Sequence, residues 1–171
     1  MNEPKDIAND VKWKIAARCA ATLPSLYDSV FRKDVGNRYE ALEHEVWMEL
    51  APMAYDIAKD LSLPVSSGEE IAHTFGTIMT ILFGAGYKTE AMELSEKSGV
   101  LIVRRCPLLD HGQTIPQNTF HKCMAFTLAA VPLLNKNYTA RFVRAICMGE
   151  RQCEIKIQKI ALKKPVAAPK K

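Results

Sequence analysis

The feature that most restricts how this chain can fold is the eleven-residue stretch Cys147-Met-Gly-Glu-Arg-Gln-Cys-Glu-Ile-Lys-Ile157. The residues before it, Arg141-Phe-Val-Arg-Ala-Ile146, are rich in β-branched and aromatic side chains. Beyond it Cys153, Ile155 and Ile157 alternate with Glu154, Lys156 and Gln158, the period of a half-buried strand. Gly149 lies between the two runs, where a turn can adopt positive φ without steric cost. The pattern predicts a β-hairpin with Cys147 and Cys153 at its neck. Facing side chains on paired strands are about 5 Å apart, so a short loop would let the two sulfurs share one ion or ligand. The same two cysteines also suit small buried hydrophobes, and both readings stay open here.

A second strand signal is Val100-Leu-Ile-Val-Arg-Arg105, which ends at Cys106-Pro107. Pro107 cannot donate to a ladder and closes the strand. Period 2 puts Ile102 and Cys106 on one face and Leu101, Val103 and Arg105 on the other. Ala91–Ser95 alternates ahead of it, with a turn over Glu96–Gly99, so these segments predict a second hairpin. The loop Leu108-Leu-Asp-His-Gly112 after the strand is a favourable place for a site on a rigid scaffold.

Helical periodicity occupies the rest. The pattern predicts a helix over 6–33, with Ile7, Val11, Ile15, Cys19 and Leu23 on an apolar stripe and a break or kink at Pro24. A second runs over 37–61 with Tyr39, Leu42, Val46, Leu50 and Met53 inward, Glu40, Glu43, His44 and Glu45 mostly outward, and a kink at Pro52. Ser67-Gly-Glu-Glu70 is a capping box that opens a strongly apolar third helix over 68–83. Gly76 within it marks a close contact, and His73 reads as a core or boundary histidine. The fourth helix, over 117–134, carries His121 and Cys123 two residues apart, so only one of them can face a common centre. The expected fold is α+β: about four helices packed on a small antiparallel sheet built from two β-hairpins.

One domain over 1–160 accommodates this order, with 1–35 as an N-terminal helical segment and 161–171 as a Lys/Pro/Ala-rich tail. The whole chain has 23 basic and 19 acidic residues, but five lysines and no acid lie from Lys159 onward. Setting those aside leaves 18 basic against 19 acidic, a nearly neutral body, so nucleic acid is not an expected partner. Apolar runs such as Ile78–Ala85 are too short to span a bilayer, and no apolar segment follows the polar N-terminus; a cytoplasmic protein without a membrane partner is expected. Five cysteines are an odd number, which favours thiols or metal ligands over a disulfide framework.

Cys106, Cys123, Cys147 and Cys153 all fall in the second half, and Cys19 stands apart. A zinc site needs three or four N or S ligands about 2.0–2.3 Å from one point. The two hairpin cysteines, Cys106, and one of Cys123, His111 or His121 satisfy that count, although no tight Cys-x2-Cys pair is present. A Cys nucleophile with His111 or His121 is the competing arrangement. Arg104, Arg105, Arg141 and Arg144 offer carboxylate-binding forks, or simply solvated strand residues. Dinucleotide, P-loop, His-Glu-x-x-His and nucleophile-elbow signatures do not occur, which disfavours nucleotide and serine-hydrolase chemistry.

Arg105-Cys106-Pro107, then Cys123, then Gly149-x-x-x-Cys153-Glu154 resembles the L-2-amino-thiazoline-4-carboxylic acid hydrolase-like family, a relative of 4-vinyl-reductase-type small-molecule-binding domains. The likeness spans about residues 37–160. It implies a helical layer and an antiparallel sheet around a pocket for a small organic acid, with zinc held by cysteines in some members. Cys106, Cys123 and Cys153 are the positions it implies, and the hairpin adds Cys147. The resulting expectation is a hydrolase-like protein in which water attacks a C=N or amide-like carbon. Cys106, Cys153 and His111 would be catalytic; Cys106, Cys123, Cys147 and Cys153 would bind zinc or another thiolate-bound metal. The alternative is a non-catalytic ligand- or redox-sensing module or accessory subunit, in a homo-oligomer or larger assembly.

Overall fold

The computed structural model describes residues 7–95, 97–109 and 119–161. Its α-helices are α1 (Asn9–Val35), α2 (Arg38–Leu50), α3 (Pro52–Asp60), α4 (Gly68–Phe83) and α5 (Thr119–Leu134). The strands are β1 (Lys88–Ser95), β2 (Ser98–Arg105), β3 (Tyr138–Arg144) and β4 (Cys153–Lys159). Strands β1–β2 and β3–β4 form two antiparallel hairpins, joined through β2 and β4 into one sheet of order β1-β2-β4-β3. The fold is α+β, four long helical segments with one of them broken at Pro52, against a four-stranded antiparallel sheet.

Helix α4 occupies the centre. Ser67 caps it: its Oγ accepts from the Glu70 amide at 3.1 Å, and the Glu70 carboxylate accepts from the Ser67 and Ser66 amides. Ile71, Ala72, Phe75, Ile78, Met79 and Phe83 are all buried. A helix apolar on most sides must be enclosed, and α4 lies between the sheet and the other helices. Two glycines set how closely it approaches. A Cβ on Gly99 would fall 2.5 Å from the Gly68 carbonyl oxygen, and one on Gly68 would fall 2.6 Å from the Gly99 amide nitrogen. A Cβ on Gly76 would meet Leu101 at 3.0 Å, so the close contact expected there is present. Phe75 stacks on Phe126 of α5, with centroids 5.8 Å apart, and Trp47 of α2 meets the edge of Phe126 at 6.2 Å.

Helices α1 and α2 differ from the periodicity. Ile7, Val11, Ile15 and Leu23, expected on an inward stripe, are exposed; the residues turned inward are Ala17, Ala21 and Asp28. Pro24 lies inside an uninterrupted helical segment. In α2 and α3 the buried positions are Tyr39, Glu43, Trp47, Ala54 and Ala58, while Leu42, Val46 and Met53 are exposed. On α2 the inward side is Tyr39, Glu43 and Trp47, with Glu43 held by Lys122; on α1 and α3 the physical reason is the alanines Ala17, Ala21, Ala54 and Ala58 on the inward sides. Alanine lets helices approach closely, so the packed side is the small one and the bulky apolar side chains remain outside.

The backbone contact between Gly68 and Gly99 has no flexible atom to yield. Gly99→Ala is therefore expected to cost about 3 kcal/mol or more, as overpacking does. Thermal unfolding should show this as a fall of roughly 6–12 °C in Tm for a chain of this size.

Candidate functional site

Two concave features stand out, and the sequence pointed to only one of them. The first is a small, partly enclosed cavity of about 20 Å3 lined by Cys106, Cys123, Cys147 and Cys153 together with Tyr87, Thr119 and Thr127. Each sulfur arrives from a different element. Cys106 follows β2, Cys123 lies on α5, Cys147 sits in a 3-10 turn (Ile146–Met148), and Cys153 opens β4. The four cysteines of the second half thus converge, while Cys19 is exposed on α1.

The routes by which they converge differ from those expected. Strand β2 carries a bulge: Lys88 pairs with Arg105 and Thr89 with Val103, so Arg104 is an extra residue. The bulge shifts the alternation by one, and Val103 and Cys106 line the same cavity instead of facing apart. The hairpin neck is wider than a short turn. Cys153 faces Val103 of β2 and not Cys147, because residues 145–152 separate the strands. Gly149 does take positive φ, at 93°, as expected of the turn glycine. The Ile146 amide donates to the Cys153 sulfur at 3.3 Å, which holds the turn over β4.

Burial governs the state of the thiols. Burial pushes the Cys147 thiol up to about 11, with Cys153 beside it adding to the rise. Cys123 is held well above the usual thiol range, first by burial and then by Cys106, Cys147 and Cys153 around it. Cys153 is also raised by burial, partly offset by the Ile146 amide. These three thiols are neutral at neutral pH, and a nucleophile or metal ligand would need the thiolate. Among the described residues, no group of three or more His, Cys, Asp or Glu is arranged to hold a metal ion. His111 lies outside the described residues. His121 is exposed while Cys123 on the same helix faces the cavity, as the two-residue spacing requires. His44 and His73 are exposed as well. Arg104 pairs with Glu90 at 3.2 Å and with Gln152, and Arg144 lies 3.8 Å from Glu154; neither arginine lines the cavity.

The second feature is a half-open cleft of about 830 Å3 between α1 and α2, with Phe83 of α4 among its lining residues. Leu23, Tyr27 and Phe31 line it from α1, and Leu42, Val46 and Trp47 from α2. Its lining includes only two charged side chains, Glu43 and Glu49. Glu43, expected on the solvated side, is buried: its carboxylate lies 2.7 Å from the Lys122 ammonium of α5 and accepts the Tyr39 hydroxyl at 3.1 Å. Burial and that carboxylate push the Tyr39 hydroxyl far above its usual range. A lysine inside an apolar helix was the available signal for this pair, because buried ammonium groups require a partner. The cleft's signal was the exposed three-and-four spacing itself, which hydropathy cannot distinguish from a core stripe.

No protein-family model matches the chain, and no curated protein is similar to it. Fourteen chains of solved structures match it. One is the crystal structure of trafficking protein particle complex subunit 3 from Naegleria fowleri, covalently bound to palmitic acid. It matches with a TM-score of 0.56 at 13% identity, over 88% of this chain and 99% of that one. A likeness at that identity establishes the fold. Among the described residues no helix is long and apolar enough to cross a membrane.

Two measurements check the electrostatics. Lys122→Met strands the Glu43 carboxylate in the interior and should destabilise the chain by about 3–5 kcal/mol, whereas Lys122→Met combined with Glu43→Leu should recover most of that loss. The raised thiols set a pH dependence. A folded Cys147 keeps its proton to about pH 11, whereas an unfolded thiol releases it near 9.0. The stability from its neutral form is complete below pH 9 and is lost as pH rises from there through 11. Tm measured from pH 7 to 11 should bend downward above 9, and Cys147→Ser should flatten the bend.

Proposed function

We propose that the chain is a non-catalytic accessory subunit that acts by binding, and that it binds through the cleft between α1 and α2. The apolar lining of that cleft, about 830 Å3 in volume, carries the reading. Pockets that hold organic ligands or partner side chains fall in the range of roughly 300–1,000 Å3. The cysteine cavity, at about 20 Å3, has room for one water or one ion and is far smaller than an organic acid. Its raised thiols also favour the protonated form over a nucleophile. Both observations support the binding alternative over hydrolysis of a thiazoline carboxylate at the cysteines. The Naegleria protein of the same fold is described as a subunit of a particle complex and as carrying palmitic acid, which is consistent with a binding role on an apolar surface.

A second reading keeps a thiolate-bound metal, favoured by four cysteines around a cavity of ionic size. It requires the sulfurs to close in and lose their protons. Stoichiometric zinc in the purified chain, lost in Cys123→Ser, would support it; freely titrating thiols without bound metal would remove it.

The principal reading is tested with the fluorescent apolar probe anilinonaphthalene sulfonate. The folded wild type, diluted until it is a monomer, should bind it, and Leu42→Glu with Val46→Glu should reduce the enhancement severalfold without unfolding that monomer. Turnover of 2-amino-thiazoline-4-carboxylate that disappears in Cys106→Ser and Cys153→Ser would overturn the reading.

A further inference from the structure

The proposed binding role leaves open what occupies the α1–α2 surface, and its composition narrows the choice. Among the described residues 22 large hydrophobic side chains are exposed, and 13 of them lie on α1, α2 and α3. The apolar surface also continues outside the cleft. Leu26 and Val30 do not line it, yet they are 46% and 56% exposed. A small ligand seated in the cleft would leave that surface bare. A partner able to cover it must be as long as a helix.

We infer that the occupant is a second copy of this chain, with α1 of each copy laid against α2 of the other across a two-fold axis. Three observations carry the inference.

The first is that each wall supplies the counterpart the other needs. Cys19, Leu23, Leu26 and Val30 on α1 follow alternating steps of four and three, and the exposed Leu42, Val46, Glu49 and Met53 follow steps of four and three on α2 and α3. Such spacing makes a seam for another helix rather than for a flat surface.

The second is charge. Outside the ion pairs made within the chain (Lys14–Asp10, Arg32–Asp28, Arg32–Glu40 and Lys122–Glu43), α1 carries Arg18 and Lys33 against Asp34, while α2 carries Glu45 and Glu49 against Arg38. Crossing α1 with the partner's α2 joins opposite signs twice in one isologous interface.

The third is extent. Helix α1 has 27 residues and buries only Ala17, Ala21 and Asp28. A stable interface needs about 800 Å2 from each partner, spread over some 20–30 residues. The 13 exposed large apolar side chains of α1, α2 and α3 are what this chain offers to such an interface, and apolar surface gathered on one set of helices marks an interaction site.

The inference rests on the binding role proposed above, and one set of measurements separates their failures. The full chain is examined by light scattering on a sizing column and by sedimentation equilibrium from 1 to 100 µM. The expected result is a particle of twice the 19.1 kDa chain mass. Val30→Glu and Val46→Glu, each on an exposed position, should raise the dissociation constant at least tenfold while far-ultraviolet circular dichroism shows a folded chain, with Tm losing its dependence on protein concentration. Met92→Glu, exposed on β1, should leave the dimer intact and serves as the control. A wild-type monomer at 100 µM overturns the second copy as occupant. If that monomer still binds anilinonaphthalene sulfonate and loses it in Val46→Glu, another occupant, a helical partner or a hydrocarbon chain, holds the surface. If the monomer binds no probe, the binding role falls with the dimer. A dimer equally disrupted by Met92→Glu and untouched by Val46→Glu also overturns the inference, because the interface then lies on the sheet.

Discussion

Everything in this molecule is placed by how closely α4 approaches strand β2. At the helix N-terminus the backbone of Gly68 touches the backbone of Gly99, with no room for a Cβ on either residue. The capping box fixes where the helix begins, so the contact fixes both the depth and the register of α4 on the sheet. Two consequences follow along the helix. Met79 reaches the wall of the cysteine cavity, and Leu82 and Phe83 reach the lining of the cleft. Phe83 and Tyr87 then link the two features, with ring centroids 6.4 Å apart. A helix held further away would open the interior between Gly76 and Leu101 of β2 and move both sites together.

Much of this was legible because it is written in local signals. Ser67-Gly-Glu-Glu70 marks the start of α4 through hydrogen bonds made within one turn, and alternation marks both hairpins. Cys106, Cys123, Cys147 and Cys153 do line one cavity, but by routes other than the hairpin neck and strand faces that the alternation suggested. Other features depend on partners far away in sequence. The bulge at Arg104 arises in the pairing of β2 with β1, and no residue type announces it, so the faces assigned to Val103 and Cys106 were out of step. Glu43 looks like a surface acid until α5 brings Lys122 to it.

The helices α1 and α2 show a deeper limit. Periodicity says that one side of a helix is apolar, but not whether that side faces this chain or another. In α1 the packed side is made of Ala17 and Ala21, while Leu23, Tyr27 and Val30 lie outside. Hydropathy weights bulk, and close helix packing favours small residues, so the stripe with the higher score pointed away from the core. The same misreading concealed the cleft, since residues assigned to a core are not considered as a surface.

The contrast between the two concave features is what supports the proposed binding role. A catalytic pocket must admit its substrate and activate a group against it, which asks for volume and a perturbed acid or base on one wall. Here the two properties are separated. The cavity with reactive atoms has room for a single small species and burial holds three of its thiols neutral, while the cleft with volume is lined by hydrocarbon and two carboxylates, one of them already paired with Lys122. Hydrocarbon arranged in helical steps and left bare has one use that chemistry does not supply, which is to exclude water against another apolar surface. A 27-residue helix with three buried residues gains little of its stability from the contacts it makes within this chain, because helices of that kind depend on packing an apolar side. The missing part of that packing is the strongest indication of function that the fold contains.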